Sequence, residues 1–221
     1  MSIYDEKPWL NFYDEGMDPD VVTPDASYAD LFLETAEKFP ANPAIHFMGV
    51  TLPYQGLNDL SARFAAYLKS CGCAPGDTVG INLPNIPQYL IALVGALRCG
   101  CAVTGISPLL TASEMAYQIN DSNTKFLVTL DAIFEHRLRE VAGEVPHLKH
   151  VAGANIGDYL PVVKRTLGKL LKKIPTGKLA SLPGMEVIPF KKIMAISPPD
   201  ITPVSIDPED TCLLQYTGGT T

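Results

Sequence analysis

The sequence predicts an α/β fold organised around a largely parallel sheet. Between residues 77 and 152, short apolar runs of strand length alternate with segments of helical length and period, the pattern of βαβ crossovers. One intervening helix, Ile86–Leu97, is hydrophobic nearly all round, as suits a helix pressed between a sheet and other helices. A third observation lies at the carboxyl end. There an apolar run, Cys212-Leu213-Leu214-Gln215-Tyr216, leads into Thr217-Gly218-Gly219-Thr220-Thr221, the grammar of a strand feeding a glycine-rich loop.

Taken in order, residues 1–27 are rich in Pro, Asp and aromatics and read as an irregular surface wrap. Tyr28–Phe39 carries Leu31, Phe32, Thr35 and Phe39 on one side and is stopped by Pro40, so it reads as a helix. Ala44–Tyr54 reads as a hairpin across Gly49, and Leu57–Leu68 as a helix with Leu57, Leu60, Phe64 and Leu68 at helical spacing. The alternation follows: strand Asp77–Leu83, helix Ile86–Leu97, strand Ala102–Ile106, and helix Ser113–Asp121 with Thr111 or Ser113 as N-cap. Strand Phe126–Leu130, helix Ala132–Val141 and strand Lys149–Ala152 complete an α/β core over residues 28–158. Glu186–Ile193 reads as a strand, followed by a Pro-rich link (Pro198, Pro199, Pro203, Pro208) into the terminal strand, so residues 186–221 form a link and a strand into the loop.

Composition excludes several classes. With 221 residues, 47% hydrophobic and 19% charged, the chain is long and apolar enough for a folded core. A net charge of −7 argues against general nucleic-acid binding. Met1–Leu10 lacks the apolar stretch of a signal peptide, and the longest apolar run, Tyr89–Leu97, is too short to span a bilayer. A cytoplasmic, soluble protein is expected. Four of five cysteines form Cys-x-Cys pairs, Cys71/Cys73 and Cys99/Cys101. That is not the usual Cys-x-x-Cys spacing of zinc sites, and no histidine is near in sequence, so packing of small thiols is the preferred reading. Cys212, in the apolar run, is expected in the core. The four histidines, His46, His136, His147 and His150, are scattered and read as structural or surface residues.

Residues 159–185 differ from the rest. They hold Lys164, Arg165, Lys169, Lys172, Lys173 and Lys178 and no acid, and removing these six cations from the −7 total leaves −13 on the remainder. Val163, Leu167, Leu170, Leu171 and Ile174 form an apolar stripe opposite the basic face. Such a helix can contact an anionic membrane surface through Lys164, Arg165, Lys169, Lys172 and Lys173. The preferred reading is a surface helix packed on its own domain, because Gly168 weakens the helix and one short basic helix anchors weakly.

No Walker A sequence, no Gly-x-Gly-x-x-Gly after a strand and no Gly-x-Ser-x-Gly elbow is present. What remains is Thr217–Thr221. Its glycines let backbone N–H groups turn toward an anion. Its hydroxyls can donate to a phosphate oxygen, and Thr220 or Thr221 can help place a Mg²⁺ ion.

Tyr216-Thr217-Gly218-Gly219-Thr220-Thr221 resembles the start of the phosphate loop of the acyl-adenylate-forming (AMP-binding) superfamily, which usually runs Ser/Thr-Gly-Ser/Thr-Thr-Gly-x-x-Lys-Gly. Pro75-Gly76-Asp77-Thr78-Val79, Leu83 to Tyr89, Gly95 to Gly100, Ser107 to Thr111 and Tyr117 to Ser122 are similar to other stretches of these enzymes. The family usually has Ala or Val where Cys73, Cys99 and Cys101 stand, in keeping with the packing reading. The opening Lys7-Pro8-Trp9-Leu10 with Tyr13 and Gly16, the basic insertion and the second glycine of the loop look like the long-chain fatty acid–CoA ligases. Leu109-Leu110 departs from that pattern, where a tyrosine is often seen.

The resemblance implies the N-terminal part of a ligase that converts a carboxylate and ATP to acyl-AMP and pyrophosphate, then transfers the acyl group to CoA. Thr217, Gly218, Gly219, Thr220 and Thr221 would belong to the loop gripping the triphosphate, with Mg²⁺ nearby. Their role would be positioning and electrostatic, since a carboxylate must approach a phosphate, anion on anion. No catalytic residue of the family falls in this stretch. The loop lysine, the adenine pocket, the acyl tunnel, the Mg²⁺-binding glutamate and the C-terminal domain would lie beyond residue 221, so this length alone is expected to be inactive. Other readings are an aryl or short-chain ligase of the same superfamily, and a catalytically silent module binding a partner or membrane.

Overall fold

A computed structural model describes residues 2–18, 20, 23–171, 174–199 and 204–217. Ser2 caps a short helix α1 (Ile3–Glu6) with a reciprocal Asp5 bond, and a 3₁₀ turn follows at Pro8–Phe12. The opening is thus more regular than its composition predicts, because local capping satisfies its backbone. Helix α2 (Tyr28–Lys38) begins at Ser27, whose hydroxyl and backbone exchange bonds with Asp30.

Strands β1 (Pro43–Phe47) and β2 (Val50–Pro53) form a separate antiparallel hairpin. Met48 and Gly49 both have positive φ, 48° and 84°, which gives the two-residue turn whose twist matches the strands. Helix α3 (Tyr54–Ser70) follows directly.

The main sheet contains β3 (Thr78–Asn82), β4 (Ala102–Gly105), β5 (Thr124–Leu130), β6 (His150–Ala154), β7 (Glu186–Pro189) and β8 (Leu213–Leu214). Its order is β7-β6-β5-β3-β4-β8 and every pairing is parallel. The chain steps from β3 to β4 through α4 (Pro87–Leu97), then crosses back past β3 to β5 through α5 (Ala112–Asp121). The direction of winding therefore reverses after β4. In parallel sheets such a reversal opens a crevice at the carboxyl ends of the strands.

Helices α2, α3 and α4 pack together, and the Gly95–Ser61 crossing of α4 on α3 is close: a Cβ on Gly95 would lie 2.9 Å from the Ser61 carbonyl and 2.8 Å from Phe64. Phe64 meets Phe126 of β5 edge-on at 5.7 Å and stacks on Phe190 at 5.5 Å. The strands of the sheet centre are buried on both faces. Cys73, Cys99 and Cys101 are buried and Cys71 is half-buried. Burial pushes the Cys73 thiol up to about 12 and Cys101 higher still, which makes them packing groups rather than reactive thiols.

Four expectations require correction. Ala132–Val141 is not one α-helix: α6 (Asp131–Ile133) passes into a π-turn at Phe134–Leu138, with Arg139 N–H donating to the Phe134 carbonyl. Phe134 and Leu138, four residues apart on one face, are both in the core. The basic segment gives only a nine-residue helix α7 (Val162–Leu170). Its apolar stripe does not pack on the domain: Val163, Leu167, Leu170 and Leu171 are all half or more exposed. Lys164 donates to the Met48 carbonyl at 2.8 Å, tethering α7 to the hairpin turn, while Lys172 and Lys173 lie outside the described residues. Glu186–Ile193 splits into β7 and α8 (Phe190–Ile196), because Pro189 ends the ladder and caps the helix while Phe190 and Ile193 turn into the core. Cys212 is exposed just before β8, which among the described residues pairs only with β4.

Candidate nucleotide-binding crevice

A cavity of about 470 Å³ lies at the carboxyl ends of β3, β4 and β8, on the β4 side of the β3–β5 reversal, within the size range of small-ligand sites. Ile81 and Leu83 come from β3 and its exit, Gly105 to Pro108 from β4 and the following loop, Glu114 and Gln118 from α5, and Gln215 to Thr217 from β8 and its exit. Tyr89 stands beside Gly105, where a Cβ would meet its hydroxyl at 3.2 Å.

The floor is stitched by Asn82, the last residue of β3 and fully buried. Its Nδ2 donates to the carbonyls of Ile106 (3.0 Å) and Ser107 (3.1 Å), and its Oδ1 accepts from the buried Thr129 hydroxyl at 2.8 Å. One side chain thereby holds the ends of β3, β4 and β5 in register. The wall is held by Arg137, whose guanidinium donates to the carbonyls of Pro108 (2.5 Å) and Leu110 (2.6 Å). The π-turn thus aims Arg137 at the loop after β4.

The strand carrying the glycine-rich segment is tied down twice. Gln118 Nε2 donates to Thr104 Oγ1 at 3.0 Å and to the Gly105 carbonyl at 3.1 Å, and the Thr104 hydroxyl donates to the Leu214 carbonyl at 3.1 Å. One residue after Gln215, the Tyr216 hydroxyl donates to Asp121 Oδ2 at 2.5 Å. Burial, then this bond to a carboxylate, pushes the Tyr216 phenol up to about 12, so it remains a donor at neutral pH.

Thr217 is exposed at the mouth of the cavity. Gly218, Gly219, Thr220 and Thr221 lie outside the described residues. Glu114 is the one carboxylate lining the cavity among the described residues. It is committed to the α5 cap: the Thr111 N–H donates to it at 2.8 Å, and this backbone bond, with the Thr111 hydroxyl, holds its carboxyl below the usual range. The described donor set is thus spent on protein oxygens and shapes the crevice. It does not by itself complete a Mg²⁺ site, which needs free carboxylate oxygens. Asn82, Thr104 and Arg137 are positioning residues that no motif singles out, and Gln118 and the Tyr216–Asp121 pair position the site with them. The stretch Tyr117 to Ser122, noted for its resemblance, holds Gln118 and Asp121, and the loop motif begins at Tyr216.

A doubly wound parallel sheet with a crevice at the carboxyl ends of β3, β4 and β8 defines an α/β fold of the kind that receives small ligands at the carboxyl edge of its strands. Residues 32–221 match the AMP-binding enzyme family, and the chain belongs to that family. It is 33% identical over 225 residues to a long-chain-fatty-acid–CoA ligase of Escherichia coli O157:H7, covering 98% of this chain and 39% of the relative. A ligase described in the same words from Bacillus subtilis (strain 168) is 31% identical over 222 residues, covering 98% and 38%. The fold is similar to a long-chain-fatty-acid-CoA ligase (FadD1) from Archaeoglobus fulgidus, with a TM-score of 0.69 at 19% identity, covering 94% of this chain and 37% of that one. The architecture is the N-terminal subdomain of the AMP-forming ligase fold, and the chain spans about two fifths of the length of the curated relatives it matches.

Proposed function

We propose that residues 1–221 form the amino-terminal part of an ATP-dependent long-chain fatty acid–CoA ligase, and that the crevice over β3, β4 and β8 receives the nucleotide. The reaction is carboxylate plus ATP to acyl-AMP and pyrophosphate, followed by acyl transfer to the thiol of CoA. The observation that carries the reading is the doubly anchored β8 strand, which presents Thr217 at the crevice mouth. The 98% coverage of this chain by fatty acid–CoA ligases supports the acid chosen.

ATP supplies the electrophilic phosphorus and the pyrophosphate leaving group. The chain's own contribution is placement. The Thr217 hydroxyl and the amides of Gly218, Gly219, Thr220 and Thr221 donate to triphosphate oxygens, drawing negative charge away from the approaching carboxylate. Asn82, Arg137 and the Thr104–Gln118 pair keep the surrounding loops from spreading when charge enters. Mg²⁺ would need carboxylates from elsewhere, with Thr220 or Thr221 adding a hydroxyl. This length alone is proposed not to turn over, because it spans about two fifths of its relatives.

The test is ATP–pyrophosphate exchange by the protein carrying the relatives' full length, with carboxylates of graded length and one aryl acid. Strongest exchange with long-chain acids supports the assignment, and exchange confined to aryl or short acids overturns it. Acyl-CoA formation by residues 1–221 alone would overturn the claim of inactivity.

The exposed apolar stripe on α7, flanked by Lys164 and Arg165, favours a second role: peripheral contact with the inner face of a membrane, from the cytoplasm. No helix among the described residues is long and apolar enough to cross a bilayer. Flotation with anionic vesicles should be lost when Lys169, Lys172 and Lys173 are replaced by Glu. Unchanged flotation would refute the contact.

A further inference from the structure

At the opposite, amino-terminal edge of the sheet, the parallel register aligns Phe126 with His150 and His150 with Glu186. Lateral partners in a sheet carry their side chains on the same face, one strand spacing apart. Here that face is the one covered by α3, since Phe126 meets Phe64 and Tyr67 edge-on. Helix α3 ends over this row with Cys71 as its C-cap. A ring nitrogen of His150, a carboxylate oxygen of Glu186 and the Cys71 sulfur all lie within 4.8 Å of one another. The cysteine pair thus has a histidine neighbour after all, brought from 79 positions away by the sheet rather than by sequence spacing.

The three groups are held before any ligand arrives. His150 stacks on Phe126 at 5.9 Å with rings 15° apart, and its Nδ1 sits 3.3 Å from Glu186 Oε2. The other carboxylate oxygen accepts from the Tyr67 hydroxyl at 3.2 Å. Burial raises the Tyr67 phenol well above its ordinary value, so it stays a donor and orients the carboxylate. This is the outer-shell arrangement that fixes metal ligands. A tetrahedral ion with bonds of about 2.0–2.3 Å needs ligand atoms about 3.3–3.8 Å apart. The His150–Glu186 separation already meets that spacing. The largest possible separation in the set exceeds it by about 1 Å, a closure that side-chain rotation supplies. The Cys71 thiol also hydrogen-bonds with the Tyr67 side chain, so Tyr67 touches both the thiol and the carboxylate and draws them together.

We propose that Cys71, His150 and Glu186 form a three-ligand site for a divalent transition metal of zinc type, with a water in the fourth position. One thiolate, one imidazole and one carboxylate suit Zn²⁺ and Co²⁺ and disfavour Mg²⁺ and Ca²⁺, which prefer all-oxygen shells. The ion clips the end of α3 to the starts of β6 and β7, far from the nucleotide crevice, so the proposal stands or falls independently of the ligase reading.

The test is titration of the 221-residue chain with Co²⁺, then displacement by Zn²⁺. It is done in a Cys212→Ser background, because Cys212 is an exposed thiol that can bind metal by itself. One equivalent should bind with a thiolate-to-cobalt charge-transfer band in the near ultraviolet, and Zn²⁺ should raise the thermal midpoint. Cys71→Ser should abolish the band. His150→Gln and Glu186→Gln should weaken Zn²⁺ binding at least about tenfold, the loss that even outer-shell changes cause. Absorption-edge spectroscopy of the zinc-loaded Cys212→Ser protein, counting one sulfur and one imidazole, gives a reading that needs none of the ligand variants to fold. Absence of the band, its survival in Cys71→Ser, or a zinc shell without sulfur overturns the site.

Discussion

Replacing Asn82 by alanine removes the one side chain that joins three strand ends beneath the crevice. Three bonds are lost, two from Nδ2 to the Ile106 and Ser107 carbonyls and one from the Thr129 hydroxyl to Oδ1. Asn82 and Thr129 are fully buried, so water does not readily replace the missing partner. At about 1 kcal/mol net per bond, the loss comes to roughly 3 kcal/mol. For a chain of this size that corresponds to a fall in Tm of about 6–12 °C. The assay is urea unfolding followed by far-ultraviolet circular dichroism, with a thermal scan in parallel. Asn120→Ala is the control, since Asn120 makes one exposed bond to the Glu144 carbonyl and should cost about 1 kcal/mol or less. Asn82→Asp sharpens the test: it keeps the shape but sets a carboxylate oxygen against two carbonyls, and should be worse than alanine at neutral pH. A loss for Asn82→Ala no larger than for Asn120→Ala, or an aspartate tolerated like wild type, would refute the stitching role.

Two further perturbations probe the walls. Tyr216→Phe should remove one phenol that titrates near pH 12 in the alkaline ultraviolet titration. The raised value means the Asp121 bond contributes fully below the ordinary value of 10.0 and is lost as pH rises through about 12; a missing phenol that titrated near 10 would contradict this. Arg137→Ala should free the Pro108 and Leu110 carbonyls and weaken ATP binding several-fold, while costing about 1.5–3 kcal/mol of stability for its charge-assisted bonds; unchanged ATP affinity by calorimetry would remove Arg137 from the site's support.

Much of the α/β core was legible because its signals are local. Pro40, Gly49 and the N-cap candidate Thr111 punctuate the chain at the helix and turn boundaries the structure shows. Helix α4 was legible as buried because apolar residues occupy nearly every face. What was not legible depends on partners distant in sequence. Nothing near Ala132–Val141 signals the π-turn at Phe134–Leu138. The apolar stripe of α7 predicts burial, yet the tertiary structure leaves it uncovered. Cys212 is as apolar as a core residue, yet it is exposed just before β8. In the site, the loop residues after β8 carry a motif, whereas Asn82 and Arg137 act through backbone carbonyls, which leave no trace in sequence.

The central claim, that the nucleotide lies over the carboxyl ends of β3, β4 and β8, is tested most directly by amide chemical shifts. The ¹⁵N-labelled chain would be titrated with ATP and magnesium. The account predicts the largest shifts at Gly105, Ser107 and Gln215 to Thr217, with little change at the Cys71–His150 edge. Shifts centred on any other surface, or none at millimolar ATP, would contradict it.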